Sequence, residues 1–223
     1  MKINDVPQSG SVQGVTSSRN RSGQYRRTRA IPVNPNTGAQ STVRSVLATL
    51  AAAWRTLTDE QQTGWEQYAQ AHPRVNPLGT TYVLTGMQAY VGVNGELAAI
   101  GVAAVADAPT SDSPDAPVLS ITEDELPDIA IGYTPTPVAA GTKMVMQSSP
   151  PRSRGVRYNS DYRTVAVLPA ASASAWEAGA ALTAKFGEVL DSKRYFIRAK
   201  IVTADGQSGP WSNIVRLDPL PAP

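Results

Sequence analysis

The sequence contains no cysteine and one histidine, His72. The first absence removes disulfides, thiolate metal ligands and a cysteine nucleophile together. The second would force any imidazole-based metal site or Ser–His–Asp arrangement onto one residue, followed directly by Pro73 at a helix end. Capping of the preceding helix carbonyls is the reading that fits this position. No run of 18 consecutive apolar residues occurs, so no membrane-spanning helix is expected. The opening MKINDVPQSGSVQG lacks the apolar stretch of a signal peptide. There is no P-loop or dinucleotide glycine pattern. The carboxylates are scattered: Asp59-Glu60 suit a helix start and Glu123-Asp-Glu125 an exposed turn, neither being a paired-carboxylate site. No catalytic, cofactor-binding or metal-ligating residues are expected, and the chain reads as a scaffold.

Acid is scarcest at the beginning. Residues 1–44 hold Lys2, Arg19, Arg21, Arg26, Arg27, Arg29 and Arg44 against Asp5 alone, a local excess of +6. The rest carries 13 basic and 17 acidic residues, so the overall +2 conceals a segregation. With 223 residues, 41% of them apolar, the chain is long enough for two domains; 18 prolines and 17 glycines imply many turns.

Residues 1–33 have too few large apolar side chains for a core. They read as a basic extended arm or β-hairpin, with strands near 11–18 and 24–33 and a turn at 21–23. Two strands alone are marginal in water, so order in the arm is expected against the rest of the protein or another subunit. Residues 34–105 form a three-helix module. Ala39, Val43, Val46, Leu47, Leu50 and Trp54 recur at helical spacing, with Asn36 or Thr37 as the cap. Thr58-Asp-Glu-Gln61 is a capping box opening a second helix with Trp65, Tyr68 and Ala69 on one face. The short corner between the helices predicts that they pack as neighbours through Trp54 and Trp65. Thr85-Gly-Met-Gln88 repeats the box for a third helix, where Gly92 and Gly95 suggest close backbone approach.

Residues 106–116 are a proline-rich, semi-extended linker. Beyond it the pattern alternates. Ile129, Ile131 and Tyr133, then Met144 and Met146, then Tyr162, Val165 and Val167 mark short strands. Residues 172–182 read as a helical turn or loop. Tyr195-Phe-Ile-Arg-Ala-Lys-Ile-Val202 is the clearest strand, followed by an Asp205-Gly-Gln-Ser turn and a last strand over 211–217. Such spacing predicts an antiparallel β-sandwich over 117–218, with 219–223 as a proline-rich tail. The fold class expected is thus α+β and multidomain.

Two resemblances follow from these residues. Pro117, Leu190 before Tyr195-Phe-Ile-Arg-Ala, and the Asp205 turn leading into Trp211-Ser212 resemble a fibronectin type III domain, with Ile131 or Tyr133 where that family carries a tryptophan. The run Ser18-Arg-Asn-Arg-Ser-Gly-Gln-Tyr-Arg-Arg-Thr-Arg29, Pro32-Val-Asn-Pro-Asn-Thr37, Trp54-Arg-Thr-Leu-Thr-Asp59, Asn76-Pro-Leu-Gly79 and Leu84-Thr-Gly-Met-Gln88 is similar to structural proteins of tailed-bacteriophage and prophage virions. This likeness implies a particle component made in the host cytoplasm. Its partners would be major capsid, connector or tail subunits and further copies of itself, with no membrane and no cofactor. A capsid decoration or cementing role fits the division into arm, helices and β-sandwich; a head–tail connector or tail accessory role is the near alternative.

Three readings of Arg19, Arg21, Arg26, Arg27 and Arg29 remain open: docking on an acidic neighbouring subunit, attraction to nucleic acid, and a solvated arm. Only Tyr25 interleaves with them, which is thin for base stacking. In a hairpin, alternate arginines would share one face, which favours a shaped protein contact. Trp54, Trp65 and Tyr68 read as helical core. Trp211 reads as a residue of the sandwich that can double as a contact anchor, and with Tyr158 and Tyr162 it is the only hint of a sugar-binding, adhesin-like surface.

Overall fold

The computed structural model describes residues 8–76, 78–126, 128–136, 138–172 and 175–221. Expectations for residues 1–7, Pro77, residues 173 and 174 and the end of the tail lie outside them. Among the described residues the fold is α+β, with four helices and antiparallel strand pairs. The chain divides into two compact units, Met1–Val43 and Arg44–Pro223. The expected arm and helical module therefore meet inside a helix, and the helices share a unit with the β region.

The first unit is a three-stranded meander, β1 (Gly10–Val12), β2 (Val15–Asn20) and β3 (Gly23–Thr28), in that spatial order. The expected first strand, 11–18, is instead folded on itself. Gln13 takes a left-handed φ of 50° beside Gly14, and the chain turns there. The turn after β2 lies where expected. Asn20 Oδ1 accepts the Ser22 amide at 2.9 Å, and Gly23 supplies a φ of 111°.

Helix α1 (Gly38–Trp54) opens on a pairing of Thr37 with Gln40, each side chain receiving the other's amide at 3.4 Å. Helices α2 (Asp59–Ala71) and α3 (Gly86–Ala99) carry the two capping boxes read from the sequence, at Thr58/Gln61 and Thr85/Gln88. Between them, the breaker-rich loop forms a small hairpin, β4 (Arg74–Val75) against β5 (Thr81–Tyr82). Asn76 Oδ1 holds its turn by accepting the amides of Leu78 and Thr80.

The helical pairing differs from expectation. Helices α2 and α3 are the intimate pair, and α1 joins them only through its last turns. Leu50 is 5% exposed, whereas Val43 and Leu47 on the same stripe are 68% and 51% exposed. Trp54 and Trp65 meet through a third ring, Tyr90 of α3, with centroids 5.5 and 5.3 Å from it. Two tryptophans close in sequence left room for a residue from elsewhere to enter between them. Close backbone approach occurs at Gly86, where a Cβ would lie 2.8 Å from Glu66 Cγ and 3.0 Å from its amide nitrogen. At Gly92 and Gly95 there is room for one.

The β region has two main sheets. One holds β6 (Val118–Asp124), β7 (Ile129–Thr134) and β11 (Trp176–Glu177), with β7 central. The other holds β8 (Thr142–Ser148), β10 (Arg163–Leu168), β12 (Lys193–Thr203) and β13 (Val215–Leu217), ordered β10-β8-β12-β13, with β9 (Arg152–Ser153) also on β12. Helix α4 (Ala178–Phe186) begins in the segment read as a helical turn or loop and runs four residues past it. Alternate residues of both sheets feed one apolar cluster: Leu119, Ile131 and Tyr133 from the first; Met144, Met146, Tyr195, Ile197 and Leu217 from the second. Trp176, opposite Ile131, adds an indole to the same cluster. The last strand is shorter than expected. Ser212 bonds Ala199 with its hydroxyl and its amide, at 2.9 and 2.8 Å, so a side chain replaces part of the ladder and Trp211 stands outside it.

Residues 106–116 are no free linker. Buried Asn94 of α3 accepts the Val105 amide at 2.7 Å and donates to the carbonyls of Val105 and Tyr90. Trp65 Nε1 donates to Ala106 O at 2.8 Å. The chain leaving α3 is thereby tied back onto α2 and α3. A third cluster, Leu97 with Val145 and Val202, joins α3 to β8 and β12.

Trp65 is fully buried. Trp65→Ala is expected to lower the unfolding free energy by about 3–5 kcal/mol, the usual cost of emptying a core aromatic site. Leu47→Ser, on the exposed half of α1, should stay within about 0.5 kcal/mol. Urea unfolding of both variants checks this packing; equal losses would contradict it.

Candidate functional site

The arm presents its arginines on the three-stranded sheet of the first unit. Among the described residues of 8–43, none is buried. Strand register fixes the faces. Val15 opposes Val12 and Thr28, Ser17 opposes Arg26, and Arg19 opposes Gln24, so Val12, Val15, Arg19 and Arg26 share one face. Tyr25 and Arg27, paired with Ser18 and Thr16, share the other. The expected gathering of alternate arginines on one face is therefore corrected: β2 and β3 each place basic residues by their own pleat, and the cross-strand register divides them. Arg21 sits in the turn and Arg29 just past β3, where its amide closes the sheet on Gly14 O at 2.8 Å. Arg19, Arg21, Arg27 and Arg29 are exposed, while Tyr25 and Arg26 are half-buried. Arg26 Nη2 donates to Gln8 Oε1 at 2.8 Å, covering one end of the apolar face.

Trp211 is placed differently from an open contact anchor. The Arg198 guanidinium lies 3.9 Å from the centroids of both Tyr162 and Trp211, and Lys200 Nζ lies 5.0 Å from Trp211. One face of the indole is thus occupied from within the chain. Tyr158 stays exposed.

Tyr68, expected as plain core, is half-buried and reaches the β region. Its ring stacks on His72 at 4.2 Å, and its hydroxyl donates to Gln207 Oε1 at 2.5 Å. Burial raises its pKa, so the proton stays on this donor. His72 caps α2 as expected: its Nδ1 and its amide lie 2.9 and 3.1 Å from Tyr68 O. Beside them Asp205 clasps the expected linker. Its carboxylate accepts the amides of Thr110 and Ser111 at 3.2 and 3.0 Å and the hydroxyls of Ser111 and Thr203. Burial alone would raise its pKa. The hydrogen bonds from Thr203, Ser111 and the Gln207 amide prevail and hold it at about 2. Lys200 Nζ pairs with Glu96 at 2.5 Å along the same seam.

Sequence reasoning missed Asn94 and Asp205. The Asp-Gly turn was legible, but its use as a cap for a segment some ninety residues earlier was not. Among the described residues, no group of three or more His, Cys, Asp or Glu side chains could hold a metal ion, and no helix is long and apolar enough to cross a membrane. No protein-family model matches the chain, and no curated protein matches it.

Asp205→Ala is expected to cost about 2 kcal/mol at pH 7, since charge-assisted bonds to two amides and two hydroxyls disappear. The folded pKa lies below the ordinary 3.8, so this contribution is present above that value and fades as pH falls towards about 2. Thermal melting of both proteins from pH 7 to 2 checks it. The difference should narrow across that acid window, and a constant difference would refute the clasp.

Proposed function

We propose that the chain is a non-enzymatic structural component of a bacteriophage virion, acting as a capsid decoration or cementing protein. The arm and the exposed half of α1 dock on other virion subunits, and the β region, a β-sandwich of the fibronectin type III kind, projects outward. One observation carries this reading: an ordered, strongly basic sheet without a single buried described residue. A sheet of this size lacks the burial that makes three strands stable, and a second surface supplies it. Val43 and Leu47 extend the same unmet apolar demand along α1. The sandwich rests on the two antiparallel sheets that share one cluster. A head–tail connector or tail accessory place uses the same contacts.

The arginines on both faces of the meander favour a second reading, an accessory protein that grips nucleic acid. Binding to bulk DNA measured against salt separates the two. A steep log–log slope supports nucleic-acid binding, and no retention at moderate salt supports the structural role.

Deleting residues 1–30 is expected to abolish incorporation into particles while leaving the melting of the remaining chain within a few degrees. Particle purification from cells expressing the truncated chain measures this, and normal incorporation would overturn the docking role of the arm.

A further inference from the structure

We infer that the basic arm docks on a second copy of this chain, against the acidic flank of β6. This deepens the proposed structural role by naming the arm's partner.

The two halves of a complementary contact lie on one sequence. Residues 6–58 contain seven arginines and no acid, and residues 75–142 contain eight acids and no lysine or arginine. Within the second unit, Glu123, Glu125 and Asp128 are exposed and Asp124 is half-buried. None of the four has an ion-pair partner among the described residues, where the ion pairs use Asp161, Asp218 and Glu96 instead. Among the described residues of the first unit there is no carboxylate for Arg19, Arg21, Arg27 and Arg29 to pair with.

Each surface also carries exposed apolar residues. One face of the meander sets exposed Val12 and Val15 beside Arg19 and Arg26. On β6, exposed Val118 shares a face with Glu123, while Ile121, paired with buried Ile131, lies on the other face. Both ends of the outer edge of β6 are already bonded, at Leu119 by Asn213 and at Asp124 and Leu126 by Leu220. The docking is therefore by side chains, arginine on carboxylate, and not by adding a strand. Exposed ion pairs are individually weak, so association depends on several acting together and weakens with salt. An arm-to-flank contact is head-to-tail; it closes into a ring or continues as an array, as a many-copy coat component requires.

Sedimentation of the purified full chain over a range of concentrations, at about 50 and about 500 mM salt, tests the contact. Mass rising with concentration at low salt and collapsing to monomer at high salt is expected. Arg19→Glu/Arg26→Glu/Arg27→Glu/Arg29→Glu and Glu123→Lys/Asp124→Lys/Glu125→Lys/Asp128→Lys should each be monomeric, with circular dichroism showing both folded. An equimolar mixture of the two should associate again, because the reversed charges complement each other. Should either set misfold, neutral Arg→Gln and Glu→Gln, Asp→Asn versions of the same positions replace it, and each should weaken association at least tenfold. A wild-type chain that stays monomeric at low salt, arm variants that associate normally, or folded charge-reversed partners that ignore each other would overturn the inference. Particle incorporation separates this from the wider role. A monomeric chain still incorporated refutes self-docking alone, and a self-associating chain excluded from particles refutes the virion role alone.

Discussion

Leu97 is the hinge pin of the larger unit. It is fully buried at the end of α3, where Val145 of β8 and Val202 of β12 close over it. Around that contact polar groups are paired across the seam. Glu96 meets Lys200, Tyr68 meets Gln207, and Asp205 receives the amides of Thr110 and Ser111. The apolar contact is buried, while the polar pairs lie at its more exposed margin. The helices and the β region consequently behave as one body, and the segment between them is part of the seam.

The arm obeys the opposite logic. Its strands are well paired, yet backbone hydrogen bonds contribute little net stability when the same groups can bond to water. Without apolar burial a meander of this size has little to offset the ordering of its residues. Positive charge distributed over both faces favours oppositely charged company and discourages association with other arms. The larger unit thus has a buried core of its own, whereas none of the described residues of 8–43 is buried.

Parts of this arrangement were legible residue by residue. The boxes at Thr58/Gln61 and Thr85/Gln88, the His72 cap and the strand through Tyr195 depend on near neighbours, and all appear as read. The pairing of the helices was not legible, because the stripe on α1 shows that a face is apolar without saying how far it is covered. Tyr90, entering between Trp54 and Trp65, comes from 25 residues beyond the second tryptophan. Trp211 was legible as a residue of the β region, but the guanidinium of Arg198 over its ring was not.

By itself the sequence determined the segregation of charge, the α-then-β order, the helix starts and the alternation of the strands, all governed by local propensity and spacing. Tertiary structure alone decided that 106–116 is clamped, that helices and β region form one unit, and that the arginines divide between two faces. Those outcomes hinge on Asn94, Leu97 and Asp205 meeting residues distant in the chain, and on a cross-strand register set by the left-handed turn at Gln13 and the Asn20–Gly23 corner. Contacts of that kind are chosen by the whole packed arrangement, where a partner's position matters as much as its chemistry.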